Sequence, residues 1–270
     1  MVSNEQRRKQ LAREKFERQQ QRREAARRKA RRRNAVIAAG LAVVLAAGAT
    51  AYATGALSGD DEKSDTAADA LPTPKKVADP CAKPAPGSPA AKTWKSEPEM
   101  SVDKSASYAM DLKTTCGTID VKLDAANAPH TVNSFDFLAK EGFFDHTRCH
   151  RLTTGGIYVL QCGDPKGTGQ GGPGYTLPDE NLKDSKLKGN VYPAGTVAMA
   201  NTGQPHTGGS QFFLVYQDSQ LPPQYTPFGT IGDEGMKTLK KIAAAGEQSG
   251  AGDGAPNATV VIDKASVAKS

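Results

Sequence analysis

Reactive side chains crowd the middle of this 270-residue sequence, and each group suggests a different chemistry. His146, Cys149, His150 and Cys162 are metal-ligand types, but C-x12-C lacks a C-x2-C knuckle, so no metal is expected. Ser210 with His206 or His150 could form a hydrolase pair. No G-x-S-x-G elbow surrounds Ser210, and Gly-Gly-Ser-Gln-Phe-Phe puts it at a strand start, where its hydroxyl bonds to backbone. The glycine-rich run 167–174 is not followed by Lys-Ser/Thr. Pro173 and Pro178 bar a helix there, so a surface loop is expected rather than a phosphate cradle. The stretch 197–216, VAMANTGQPHTGGSQFFLVY, remains. Two short apolar runs flank a loop rich in Gly, Thr, Asn and Gln, and the amides Asn201 and Gln211 stand close to Phe212 and Phe213. That pattern makes a shallow apolar pocket with hydrogen-bonding groups at its rim.

The elements that must hold such a pocket are short and mostly β. From Ser105 onward, 108–112 and 119–123 alternate apolar and polar residues about a tight turn at 114–117, the pattern of a hairpin. Val132, Phe135, Leu138 and Ala139 share a face of a helix over 129–141, which Gly142 ends. Further strands are expected at 148–153, 158–161, 195–200, 211–216, 227–231 and 259–265, with a second helix over 235–245. Eight short strands and two helices predict a mainly β fold, a closed eight-stranded antiparallel barrel capped by the helices.

Charge is unevenly distributed. Residues 1–34 carry 14 Lys/Arg against four Glu, so the overall +6 divides into +10 for this arm and −4 for residues 35–270. The folded part has no basic excess to recommend nucleic acid as a partner. The arm, rich in helix formers with few apolar residues, is expected to be a cytoplasmic flank, with a nucleic-acid-binding arm as the competing reading. Residues 35–57 run 23 positions without a charge, long enough to cross a bilayer as one helix. The preceding Arg cluster keeps the N-terminus in the cytoplasm and places the remainder outside the cell membrane. A cleaved signal peptide competes, because Ala49-Thr50-Ala51 resembles a cleavage site. Residues 58–104, rich in Pro, Ala, Asp and Ser, are expected to be a disordered tether, with Cys81 and Trp94 able to dock on the domain at 105–270.

An exported domain makes disulfides natural. In a hairpin centred between Gly155 and Gly156, positions summing to 311 face each other, which makes Cys149 and Cys162 cross-strand neighbours close enough to bond. Cys81 with Cys116 is the remaining pair, tying the tether to the first hairpin.

Taken together, Cys149-His-Arg-Leu152, Leu160-Gln-Cys-Gly-Asp164, Gly167-Thr-Gly, Val197-Ala-Met-Ala-Asn201, Gly209-Ser-Gln-Phe-Phe213 and Pro227-Phe-Gly229 resemble one family in order and spacing across 105–267. That family is the cyclophilin-type peptidyl-prolyl cis-trans isomerases, in their bacterial, membrane-tethered branch. The resemblance implies an eight-stranded barrel with two capping helices that binds an X-Pro segment in a surface groove, as a monomer without a cofactor. By position, Arg151 matches the catalytic arginine and Gln161 the glutamine beside it. Asn201 matches the residue whose backbone holds substrate, and Phe213 the floor of the proline pocket. Tyr158, Val159 and Leu221 match wall positions, Gln211 the rim, and Tyr225 a position that is histidine in many members. Two departures stand out. The chain has two extra residues between Arg151 and Gln161, and Gln220 stands where cyclosporin-sensitive members have tryptophan, which implies weak cyclosporin binding.

The chemistry implied is rotation about a prolyl amide, whose resonance imposes a barrier of about 18–20 kcal/mol. No bond breaks, so no nucleophile, metal or redox cofactor is required. In the twisted amide the prolyl nitrogen becomes pyramidal and gains a lone pair. A fixed guanidinium bonds to it only in that form, which is differential binding of the transition state. The competing role for Arg151 is a surface salt bridge. The competing function is a non-catalytic Pro-peptide-binding or holdase module using the same groove.

Overall fold

The computed structural model describes residues 78–90 and 92–269. The arm 1–34, the span 35–57 and the tether up to residue 77 lie outside the described residues. Among the described residues no helix is long and apolar enough to cross a membrane.

The chain opens with the hairpin β1 (Tyr108–Thr114) and β2 (Gly117–Leu123), whose register Thr114↔Gly117 leaves a two-residue turn. Helix α1 (Pro129–Lys140) follows. Pro129 starts it because its missing N–H would have no intrahelical partner there, and Gly142, at φ +68°, ends it. Next come β3 (Thr147–Arg148), β4 (Arg151–Thr153), β5 (Val159–Cys162), β6 (Val191–Tyr192), β7 (Thr196–Met199), β8 (Phe212–Val215), β9 (Ser219–Gln220) and β10 (Pro227–Ile231). Helix α2 (Asp233–Ala244) carries Asp233 and Glu234 in its first turn and Lys241 in its last, each sign suited to the helix dipole. β11 (Asp253–Gly254) and β12 (Val261–Lys269) complete the fold.

Ten strands form one curled antiparallel sheet in the order β11-β4-β5-β8-β7-β10-β2-β1-β12-β3, and β6 pairs with β9 apart from it. If β3 and β4 are counted as one interrupted strand, all eight expected strands are present, and the two-residue β6, β9 and β11 are additional. The interruption has a definite form. Arg151 pairs with Gln161, while the His150 N–H also donates to the Gln161 carbonyl at 3.1 Å. Two residues therefore oppose one, a bulge. The hairpin itself is centred on Gly156 (φ +78°), half a residue from the expected centre, so β4 and β5 pair at a sum of 312. The bulge shifts the register back to 311 beyond it. Cys149 and Cys162 are thereby brought opposite each other, and they form a disulfide with Cα atoms 4.0 Å apart.

Strand alternation divides the apolar residues between two faces. Leu152, Leu160, Cys162, Phe212, Leu214, Val197 and Met199 point into the main core with both helices. Phe135 of α1 is central there, its ring 4.5 Å from Phe228, 5.1 Å from Phe144 and 5.4 Å from Phe212. Val159, Ala198, Phe213 and Val215 point the other way and form a second cluster around Tyr192. β8 is therefore buried on both faces.

The described residues of 78–104, a stretch assigned by composition to the tether, hold no helix or strand but lie against the domain. Cys81 is disulfide-bonded to Cys116 in the first hairpin turn. The Trp94 ring sits 5.1 Å from Phe137 and 5.9 Å from Phe143, and the Trp94 backbone N–H donates to the Pro173 carbonyl at 2.8 Å. The Asn133 side chain accepts from the Ser101 and Val102 N–H groups and donates to the Pro98 and Glu99 carbonyls. Prolines exclude regular structure in this segment, but its few large side chains find partners.

Candidate active site

A single row of residues crosses four neighbouring strands. Arg151 of β4 faces Gln161 of β5, Gln161 faces Phe213 of β8, and Phe213 faces Ala198 of β7. Directly opposed residues point to the same side of a sheet, so the register alone gathers a cation, an amide and an aromatic ring on the face away from the main core. Val159, two positions from Gln161, extends this surface. Arg151, Gln161, Phe213 and Val159, together with Ile157, Ala200, Asn201, Leu221 and Tyr225, line a cavity of about 100 Å³. Phe213 forms its apolar floor. The Phe213 ring meets Tyr225 edge-on at 5.4 Å, and Tyr192 lies behind both.

The polar side chains are linked in a chain. Arg151 Nε and Nη2 each donate to a carboxylate oxygen of Asp253 at 2.7 Å, and Nη1 donates to Gln161 Oε1 at 3.2 Å. Gln161 Nε2 donates to Gln211 Oε1, and Gln211 Nε2 donates to the Gly171 carbonyl, both at 2.9 Å. Each amide's orientation is thus set by its neighbour, and the Gln161 oxygen must face Arg151. The hydrogen bonds from Arg151 hold the Asp253 carboxyl below its ordinary pKa, and the same bonds raise that of Arg151. Asn201 is fixed through its side chain: Nδ2 donates to the Gln224 carbonyl, and Oδ1 accepts from the Gly203 N–H. Among the described residues the Asn201 backbone N–H and C=O have no hydrogen-bond partner, leaving both available to an extended peptide.

Gln211 lies outside this cavity, in an adjoining groove of about 470 Å³ that shares Gln161, Ala200 and Asn201 with it. The groove's far wall is the glycine-rich loop, which does cradle an anion, its own Asp164. That carboxylate is fully buried and accepts from the N–H groups of Lys166, Thr168, Gly169 and Gln170 at 2.7–3.1 Å. Burial would raise its pKa, but the backbone donors outweigh burial and hold it below the ordinary carboxylate value. Gly171 is required, because a Cβ there would collide with Asp164.

Arg151, Gln161, Val159, Asn201, Phe213, Leu221 and Tyr225 meet at one cavity. Tyr158 does not. Alternation puts 157, 159 and 161 on one side of the chain and 158 on the other. Tyr158 there packs edge-on against Tyr216 at 5.8 Å, and Ile157 takes the wall position. Three contributors were missed: Ile157, Asp253 and Tyr192. Tyr192 is fully buried, and its hydroxyl donates to the Tyr225 carbonyl at 2.8 Å and accepts from the Tyr225 N–H at 3.2 Å. Burial pushes its pKa up to about 12. The other candidate chemistries find no support in the contacts. Ser210 Oγ donates to the Gly163 carbonyl, Cys149 and Cys162 are bonded to each other, and His206 Nδ1 accepts from the Asp179 N–H.

Comparison with known proteins agrees with this geometry. Residues 109–267 match the sequence profile of the family described as cyclophilin type peptidyl-prolyl cis-trans isomerase/CLD. The chain is 53% identical over 166 residues to the probable peptidyl-prolyl cis-trans isomerase B of Mycobacterium leprae, covering 58% of this chain and 56% of that one. It is 52% identical over 165 residues to the protein of the same description from Mycobacterium tuberculosis, covering 58% and 53%. The match spans about half the length of these curated relatives. A crystal structure of a Cryptosporidium parvum cyclophilin type peptidyl-prolyl cis-trans isomerase superposes with a TM-score of 0.51 at 26% identity, over 61% of this chain and 99% of that one. A second structure of that protein, determined in the presence of the dipeptide Ala-Pro, gives 0.50 at 27% identity, over 60% and 99%. The chain belongs to the cyclophilin-type peptidyl-prolyl cis-trans isomerase family.

Proposed function

We propose that this protein is a peptidyl-prolyl cis-trans isomerase that accelerates rotation of X-Pro bonds in unfolded or exported chains. The observation that carries the reading is the guanidinium of Arg151 at the edge of an apolar cavity floored by Phe213. Phe213, Val159, Ile157 and Leu221 hold the pyrrolidine ring. Asn201 grips the flanking peptide through its backbone, and Gln161 keeps Arg151 in place. As the amide twists, its nitrogen gains a lone pair and Arg151 donates to it. A hydrogen bond to a charged group is worth about 1.5–3 kcal/mol, and an acceleration of about 10⁵ needs about 7 kcal/mol. Arg151 therefore supplies part of the effect, and a desolvated ring held part-way along the rotation supplies the remainder.

The protein acts as a monomer outside the cell membrane, with 35–57 as its single-pass anchor, 1–34 in the cytoplasm, and a tether from residue 58 whose later part, from Cys81 on, is bound to the isomerase domain at 105–270. Two disulfides within the described residues support an oxidising compartment. The sheet closes into a barrel through 147–153, which bonds to β12 on one side and to β5 on the other.

The mechanism is tested by Arg151→Ala in a refolding reaction limited by proline isomerisation. The expected loss is roughly 10- to 150-fold, the equivalent of one charge-assisted hydrogen bond. Undiminished acceleration would sink the mechanism and favour a holdase. Protease added to intact cells should release the domain if it faces outward, and full protection would reverse the topology.

A further inference from the structure

Arg151 is a long side chain, more than a third exposed, on which the proposed chemistry depends. Left alone it would sample many rotamers, and ordering it costs side-chain entropy. Its partner Asp253 lies 102 positions later and outside the cavity lining. The β11–β4 register pairs Asp253 with Thr153 and Gly254 with Leu152, which makes Asp253 the diagonal neighbour of Arg151 on the same face. The loop leading to it is itself braced. The Glu247 carboxylate accepts from the Ser249 and Gly252 N–H groups, Ser249 Oγ donates to the Asp253 carbonyl, and the Thr154 N–H donates to the Gly252 carbonyl.

We propose that Asp253 is a positioning residue for isomerisation, a carboxylate clamp that holds the Arg151 fork in its reactive orientation. A guanidinium has five N–H groups. Asp253 takes Nε–H and one Nη2–H, and Gln161 takes one Nη1–H. Three fixed bonds lock the plane of the group, and one hydrogen on each terminal nitrogen stays free for the twisted prolyl amide. An exposed ion pair adds little to stability, so its consequence is geometric. Gln161 braces one end of the fork and Asp253 the other.

This proposal rests on the isomerase reading, and the test separates the two. The full-length chain is titrated with a tetrapeptide containing one Ala-Pro bond, and NMR exchange spectroscopy at saturation gives the on-enzyme rotation rate and the peptide Kd independently. Asp253→Ala is expected to slow rotation by about 10- to 100-fold, the scale of a misplaced catalytic group, with Kd and urea midpoint nearly unchanged. Asp253→Asn keeps one carbonyl oxygen facing the fork and should recover part of the rate. If the wild-type chain does not accelerate exchange, the isomerase reading and this proposal fall together. If the wild type does and Asp253→Ala matches it, the proposal alone is overturned. A rate loss matched by an equal loss of peptide affinity also overturns it, because Asp253 would then serve binding.

Discussion

Ile157 and Tyr158 are adjacent in sequence and opposite in the fold, so a pair of alanine substitutions tests the strand phase at the site. Ile157 lines the proline cavity and is half-buried before any peptide arrives. Ile157→Ala removes three carbons, each worth about 0.8 kcal/mol when fully buried. With part of that burial already present in the free protein, about 1–2 kcal/mol of binding should go, a roughly 5- to 30-fold weaker Kd. Tyr158→Ala instead deletes the edge-on contact with Tyr216. Such a pair adds about 0.5–1.5 kcal/mol beyond its buried area, so the loss should appear in stability and leave peptide affinity within about twofold. Peptide titration and urea unfolding of both variants give the two numbers. If Tyr158→Ala weakens binding more than Ile157→Ala does, the strand runs in the other phase and the assignment of the whole row collapses.

Two further outcomes concern the scaffold. Asp164→Asn removes a buried charge that accepts from four backbone N–H groups and should cost about 3 kcal/mol at neutral pH. Because the folded-state pKa of Asp164 is depressed, its contribution is complete above the unfolded value of about 3.9 and is lost as pH falls through the folded value. The gap between wild type and variant in urea unfolding should therefore narrow below about pH 4, and a gap constant down to pH 2 would contradict the assignment. Replacing Cys149 and Cys162 by alanine frees a loop spanning 13 positions, and replacing Cys81 and Cys116 frees one spanning 35. Losses of about 3 and about 4 kcal/mol follow from loop entropy, and equilibrium unfolding of each double variant measures them.

Local patterns were legible in the sequence because their physics is local. Helix α1 begins at Pro129 and stops before Gly142 for reasons contained within its own residues, and the first hairpin follows from alternation about a two-residue turn. The family resemblance likewise pointed to seven side chains that meet at one cavity, four of them within its motifs. What escaped depends on partners far along the chain. The sequence around Asp253 shows only turn residues, and its role emerges once β11 is laid beside β4, a pairing across 100 positions. Tyr192 sits in a two-residue strand too short to show a period.

That Tyr158 turns away from the cavity follows from the strand itself, because two adjacent residues of an extended strand point to opposite sides. With Val159 and Gln161 assigned to that pocket, alternation selects Ile157. The disulfide shows the opposite outcome. The expected pairing took an unbroken hairpin centred half a residue too early; an unbroken hairpin about Gly156 would have set Cys149 opposite Gly163 and separated the cysteines. The bulge at His150 and Arg151 supplies the compensating shift. That bulge reverses which residues of the strand face the core, so Cys149 can point inward to Cys162 while Arg151, only two positions on, points outward to Gln161. One extra residue in a strand thus lets the disulfide and the candidate catalytic cation occupy opposite faces within three positions.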